Sequence, residues 1–219
     1  MTNYEQIKEL IQTFADNHNI SSNQIETLLS KVSDDKSETE RTGIKTLVYN
    51  DCRKDIAIID MDEVAHNIYR HVRFPESTKN SESLASVDAF VISSDDVWYF
   101  IEFKNQRISK TKDSVTKKAY QNWYWLVDVL YEMKEQYQME YDNFNYNNPI
   151  EFARNNVVYI LVVSENKNTV DVDKMHKCVL AGRKFQTEFI KKLEKYVFKE
   201  SYIYTPDLLE KRLIKHFKY

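Results

Sequence analysis

Apolar residues recur with helical spacing at the start of the chain. Over residues 2–16, Tyr4, Ile7, Leu10, Ile11 and Phe14 fall on one side, which predicts an amphipathic helix. Ile25, Leu28, Leu29 and Val32 make a second stripe over residues 22–32, with Ser21 or Ser22 as its cap. Residues 33–42 are polar throughout and read as a linker. Residues 1–42 are therefore expected to form a helical N-terminal extension, a hairpin appended to a domain over residues 43–219. The apolar runs Ile44–Tyr49 and Ile56–Ile59 fit either strands or buried helix. Asp60 or Asp62 would cap a helix reaching Tyr69, before a short strand near Val72–Phe74 and a polar loop over 75–83.

Strand signals are stronger further on. Leu84–Ser93 and Val97–Phe103 are rich in β-branched and aromatic residues, with Ser94, Asp95 and Asp96 as the turn between them. A long helix over 113–137 carries Val115, Tyr120, Trp123, Val127, Leu130 and either Met133 or Tyr137, before an Asn-rich loop over 138–154. Val157–Val163 is the most apolar run and belongs in the middle of a sheet. A helix over 172–196, a short strand at Tyr202–Tyr204 and a last helix capped by Thr205, with Pro206 at its first position, complete the chain. This order predicts an α/β domain with a central mixed sheet flanked by helices.

Composition narrows the function. Only 2 of 219 residues are Gly, and no GxxxxGKS or GxGxxG is present, so the phosphate-cradling loops of nucleotide-binding folds lack their signature. Cys52 and Cys178 form no CxxC pair, and the first residues carry no basic-then-apolar leader. No apolar run approaches the roughly 20 residues of a membrane helix. The expectation is a cytoplasmic protein with reduced thiols and no membrane contact. Net charge is −3, yet its distribution is uneven. Residues 76–103 set six carboxylates against one lysine, and residues 104–118 then set six cations against Asp113. A carboxylate metal site beside a phosphate-attracting rim would have this pattern, as would ordinary solvated faces.

Side chains alternate faces along a strand, so Trp98, Phe100, Glu102 and Lys104 share one face. A five-residue connection, Ser93–Val97, sets Phe90 opposite Phe100 and Asp88 opposite Glu102, with Cβ atoms about 4.5–5.5 Å apart. A four-residue connection would put the two carboxylates on opposite faces. Paired carboxylates with a lysine on the same face suit a hard cation and phosphodiester hydrolysis. His66 with His71, and His176 with Cys178, have poor metal-ligand spacing and read as structural. Trp123, Tyr124 and Trp125 could stack bases, but core packing is the simpler reading.

Asp88, a turn, and then Glu102–Phe103–Lys104 resemble the D…(D/E)xK signature of the PD-(D/E)XK nuclease superfamily, over about residues 60–165. The resemblance implies a restriction-endonuclease-like αβββαβ core. It implies Asp88, Glu102 and the Phe103 carbonyl as ligands of Mg²⁺ (or Mn²⁺), and Lys104 as the catalytic lysine. Val87 stands where the superfamily's proline often stands. Some branches add a glutamate from the first helix; Glu63 is the best match, with Glu82 its competitor. Gln121 begins a run that resembles the QxxxY of an exonuclease branch, with Trp125 in place of Tyr. Gln106 shares the Glu102/Lys104 face and joins the candidate catalytic set. Arg107, Lys110, Lys112, Lys117, Lys118 and Gln121 are the expected nucleic-acid contacts. The implied activity is a metal-dependent deoxyribonuclease of restriction, repair or mobile-element defence, with a homodimer or protein partner engaged through the N-terminal helices. The alternative is a catalytically idle nuclease-like module that binds DNA or a protein.

Overall fold

The computed structural model describes residues 1–21, 24–43, 46–49, 55–75 and 84–217. Helix α1 (Asn3–Asn17) starts at Thr2, whose side chain accepts from the Glu5 amide while Glu5 reaches back to Thr2, a reciprocal cap. Then follow β1 (Glu26–Leu28), α2 (Leu29–Val32), α3 (Lys36–Thr42) and β2 (Ala57–Asp60). Asp60 caps α4 (Met61–Glu63), which runs through a π-helical stretch, Val64–Tyr69, into α5 (Arg70–Arg73). Next come β3 (Ala89–Ile92), β4 (Trp98–Lys104), a 3-10 turn at Ile108–Lys110 and the long α6 (Lys112–Tyr137). The chain continues with α7 (Pro149–Asn156), β5 (Val157–Val163), α8 (Thr169–Leu180), α9 (Glu188–Tyr196), β6 (Glu200–Tyr204) and α10 (Pro206–Arg212).

The strands form one mixed sheet in the order β1-β2-β3-β4-β5-β6. The first four are antiparallel neighbours, and β4, β5 and β6 run parallel. The α/β class and the central mixed sheet thus agree with the sequence reading. All seven residues of β5 are buried, as a strand covered on both faces and both edges must be. On one face Phe90, Phe100, Tyr159 and Leu161 pack under α1 and α6; on the other Ile101, Val158 and Ile160 pack with Leu29, Tyr49 and Leu209. Trp98, fully buried at the start of β4, gathers Tyr141, Phe144, Phe152 and Trp123 around it. Trp123 therefore belongs to the core. At the outer edge of β6, Ser201 donates its amide to Glu194 and accepts from Gln186 through its carbonyl, so side chains take the ladder positions a seventh strand would use.

The N-terminal hairpin does not exist. Residues 26–28 pair with β2, so the predicted second helix is an edge strand followed by one helical turn, and Leu28 is exposed instead of completing a stripe. Backbone partners on β2 outweigh the weak helical pattern of so short a segment. Nor is α1 an appendage. His18 at its end meets Glu132 of α6 at 2.5 Å, and Arg73 of α5 meets the same carboxylate at 2.6 Å and Asp128 at 2.7 Å. Helix α1 and strand β1 are thus built into the domain. The polar stretch 33–42 contains α3, capped by Asp35. No strand forms at Val72–Phe74, because α5 runs through Arg73. The Asn-rich stretch ends in α7, where Asn148 accepts from the Glu151 amide and Pro149 takes the first helical position. The helix expected over 172–196 breaks in two at Gly182, whose φ of +66° closes α8.

If the N-terminal elements are integral, a chain beginning at residue 33 leaves Ile59, Phe90 and Glu132 without cover. We expect it to lose the cooperative thermal transition of the full chain in circular dichroism. An unchanged melting profile would restore the appendage.

Candidate active site

The connection between β3 and β4 is Ser93–Val97, five residues long. It is closed by Ser93 N–H to Val97 O (3.0 Å) and by Asp96 N–H to Ser93 O (3.0 Å), with Asp96 at φ +60°. Aspartate tolerates that left-handed conformation better than most side chains. The resulting register sets Phe90 opposite Phe100 and Ala89 opposite Ile101. One step further, Asp88 donates its amide to Ile101 O (3.1 Å), and its Oδ2 accepts from the Phe103 amide (2.6 Å). Asp88 and Glu102 therefore meet on one face, as the five-residue connection predicts. Amide and carbonyl of one strand residue leave on the same edge, so the Phe103 carbonyl also points toward the Asp88 side.

Glu102 is fully buried. Its Oε1 lies 2.5 Å from Lys104 Nζ and 2.8 Å from Lys118 Nζ. Lys118 also reaches Glu102 Oε2 (3.0 Å) and Asp88 Oδ1 (3.2 Å). Two lysines thus face two carboxylates in a dry setting, where unpaired charge would be costly. Burial and the neighbouring Asp88 push the Glu102 pKa up to about 7, against the pull of Lys118 and Lys104. Burial likewise raises Asp88, opposed by Lys118 and reinforced by Asp62. Burial opposes the charge of Lys118, yet Asp88, Glu102 and Asp62 together hold its ammonium above its ordinary pKa. Beneath them the Tyr159 hydroxyl is buried without a hydrogen-bond partner, and its pKa is raised by burial, then by Glu102 and Asp88.

Helix α6 and the turn after β5 hold these groups in place. Gln121 Oε1 accepts from the Ala85 amide (2.9 Å), and Asn122 Oδ1 accepts from the Val87 amide (3.2 Å), fixing the approach to Asp88. Asn168 accepts from the Ile108 amide (2.8 Å) and donates to the Gln106 and Ser164 carbonyls (2.9 Å each), which clamps the loop after Lys104. Sequence reasoning missed Asn122 and Asn168. Nothing in their local pattern marks them, because their partners lie 35 and 60 residues away.

A cleft of about 460 Å³ opens onto Asp88, Phe103, Lys104 and Gln106. Asp34, Asp35, Glu38, Asp60 and Asp62 line it with Asp88, against Lys31, Lys104 and Lys167. Two expectations change here. Asp62, not Glu63, is the acidic residue of the first helix at the site: it accepts from Ser86 Oγ (2.5 Å), while Glu63 accepts from Asn67 one turn along (2.5 Å). Asp60 caps the helix by accepting from the Glu63 amide (3.0 Å). The cationic rim also divides. Arg107, Lys110, Lys112 and Lys117 are exposed but do not line the cleft, Gln121 is tied to Ala85, and Lys118 lies inside the carboxylate pair. Glu82 falls outside the described residues.

The residues fit a hard divalent cation in their chemistry. Two carboxylates and a strand-edge carbonyl supply oxygen donors, and buried Glu102 Oε1 has no hydrogen bond of good geometry despite its two ion-pair contacts. Among the described residues no three His, Cys, Asp or Glu side chains converge as a ligand set. No helix among them is long and apolar enough to cross a membrane. No family model, curated protein or solved structure matches this chain.

Because the fold raises the Glu102 pKa from 4.5 to about 7, the folded protein binds more protons than the unfolded chain across that interval. The contribution of Glu102 to stability is therefore full below pH 4.5 and is lost as pH rises through about 7. The loss is roughly 3 kcal/mol. Urea denaturation in EDTA across this range should show the decline in the wild-type protein and a smaller one in Glu102→Gln, where the raised carboxyl of Asp88 remains. Rising wild-type stability over the same range would mean that the lysines outweigh burial.

Proposed function

We propose that this protein is a metal-dependent nuclease of the PD-(D/E)XK type, hydrolysing phosphodiester bonds in DNA. The observation that carries the reading is the β3–β4 register, which joins Asp88 to Glu102, with Lys104 of the same strand 2.5 Å from Glu102. The topology supports it: a β2-β3-β4 meander, then α6, then β5 parallel to β4, is the βββαβ order of a restriction-endonuclease-like core. The helical stretch Met61–Arg73, inserted between β2 and β3, is a departure from that order.

Asp88, Glu102 and the Phe103 carbonyl would hold Mg²⁺ or Mn²⁺. Such an ion supplies Lewis-acid polarisation of the phosphate and lowers the pKa of a coordinated water. Lys104, on the cleft side of Glu102, orients the attacking water or stabilises charge developing on the phosphate. Gln106 lines the same cleft through a loop clamped by Asn168 and can hydrogen-bond water or phosphate. Asp62 strengthens the negative field at Asp88 and so favours a cation there. Lys31 and Lys167 are the cleft cations available to the substrate backbone.

A second reading is a nuclease-like module that binds nucleic acid or protein without cutting. It draws on one observation: Lys118 already bridges both carboxylates.

Linear, circular and single-stranded DNA incubated with Mg²⁺ or Mn²⁺ should be cleaved, with activity abolished by EDTA. Lys104→Ala should lower the rate by about 10²–10³-fold, the range for loss of one transition-state stabiliser. Intact DNA in every metal, with Asp88→Asn binding DNA as tightly as wild type, would favour the second reading.

A further inference from the structure

Lys118 is placed unlike the other cations of the basic stretch. Arg107, Lys110, Lys112 and Lys117 are exposed, whereas the Lys118 side chain retains about a fifth of its exposure. Its Nζ lies 3.2 Å from Asp88 Oδ1, 2.8 Å from Glu102 Oε1 and 3.0 Å from Glu102 Oε2. Lys104 reaches Glu102 but has no ion-pair contact with Asp88, so Lys118 alone among the described lysines bridges the two carboxylates. A cation shared by both must use the oxygens that Lys118 now uses.

The side chain comes from α6, across the interface from the strands that carry the carboxylates, on a flexible four-carbon stem. One turn along, Gln121 and Asn122 tie α6 to residues 85 and 87, which anchors the helix independently of the ammonium.

We propose that Lys118 is an internal counter-cation that holds the divalent-metal position between Asp88 and Glu102, and that metal binding requires its withdrawal. Lys118 thereby sets the metal affinity of the site and keeps the carboxylate pair bridged when metal is scarce. This rests on the metal-dependent reading above. If the ammonium is withdrawn in a tenth of molecules or fewer, the apparent affinity is lowered by about tenfold or more.

The test is calorimetric titration of Mn²⁺ into the full chain and into Lys118→Met, which keeps the stem and removes the charge. The expected result is tighter binding by at least about tenfold in Lys118→Met, and loss of binding when Asp88→Asn is added. As a readout on the unaltered protein, should Lys118→Met fail to fold, acylation of Lys118 by an amine-reactive reagent is followed by mass spectrometry. Lys118 should be protected in EDTA and become several-fold more reactive in saturating Mn²⁺, while Lys110 stays constant. Wild-type protein that binds Mn²⁺, with Lys118→Met binding it no more tightly or Lys118 reactivity unchanged, would overturn this proposal and leave the metal-dependent reading standing. No Mn²⁺ binding by either protein would overturn both.

Discussion

The parity of the β3–β4 connection governs this molecule. With period-two side chains, five residues between Ile92 and Trp98 send Asp88, Phe90, Phe100 and Glu102 to one face; one residue fewer would send Asp88 to the other. The connection is held by the Ser93–Val97 ladder bond, by the left-handed Asp96, and by the indole of Trp98 and hydroxyl of Tyr141, which both donate to Asp96. The turn sits at the aromatic end of the sheet, and the carboxylates lie at the opposite end of β4. A packing arrangement at one end thus fixes chemistry at the other.

Along β4 the environment passes from apolar to charged within seven residues. Trp98 and Phe100 fill the core; Glu102 and Lys104 follow on the same face. The fold tolerates a fully buried carboxylate there because two lysines from different elements converge on it. Their attraction does not cancel the cost of burial, which is why Glu102 stays raised to about 7. The acidic lining of the cleft adds to the negative field around the carboxylate pair.

Rigid support comes from residues that do no chemistry. Gln121 and Asn122 splint the chain before Asp88, and Asn168 splints the chain after Lys104. Glu132, almost wholly buried, joins α1 to α5 through His18 and Arg73, so the N-terminal helix braces the same α6 that carries Lys118. The position of Lys118 therefore depends on elements more than 100 residues apart.

The strands around the site, the five-residue turn, the long α6 and the Thr205–Pro206 helix start were legible in the chain, because each follows from side-chain period or local capping within a few residues. So was the face shared by Asp88, Glu102 and Lys104, which needs only strand alternation and one connection length. The fate of residues 22–42, the choice of Asp62 over Glu63, and the removal of Lys118 from the expected rim were not. A three-residue strand exists only because β2 offers it backbone partners. A helical carboxylate is held by Ser86, which comes from another segment. A lysine in a basic run looks the same whether it faces water or two carboxylates sixteen and thirty residues away. Local sequence determined which groups this protein owns and which strand face they share. Only the packing of α6 against the sheet decided which cation bridges them, because that depends on contacts distant in the chain and on the cost of leaving a buried carboxylate unpaired.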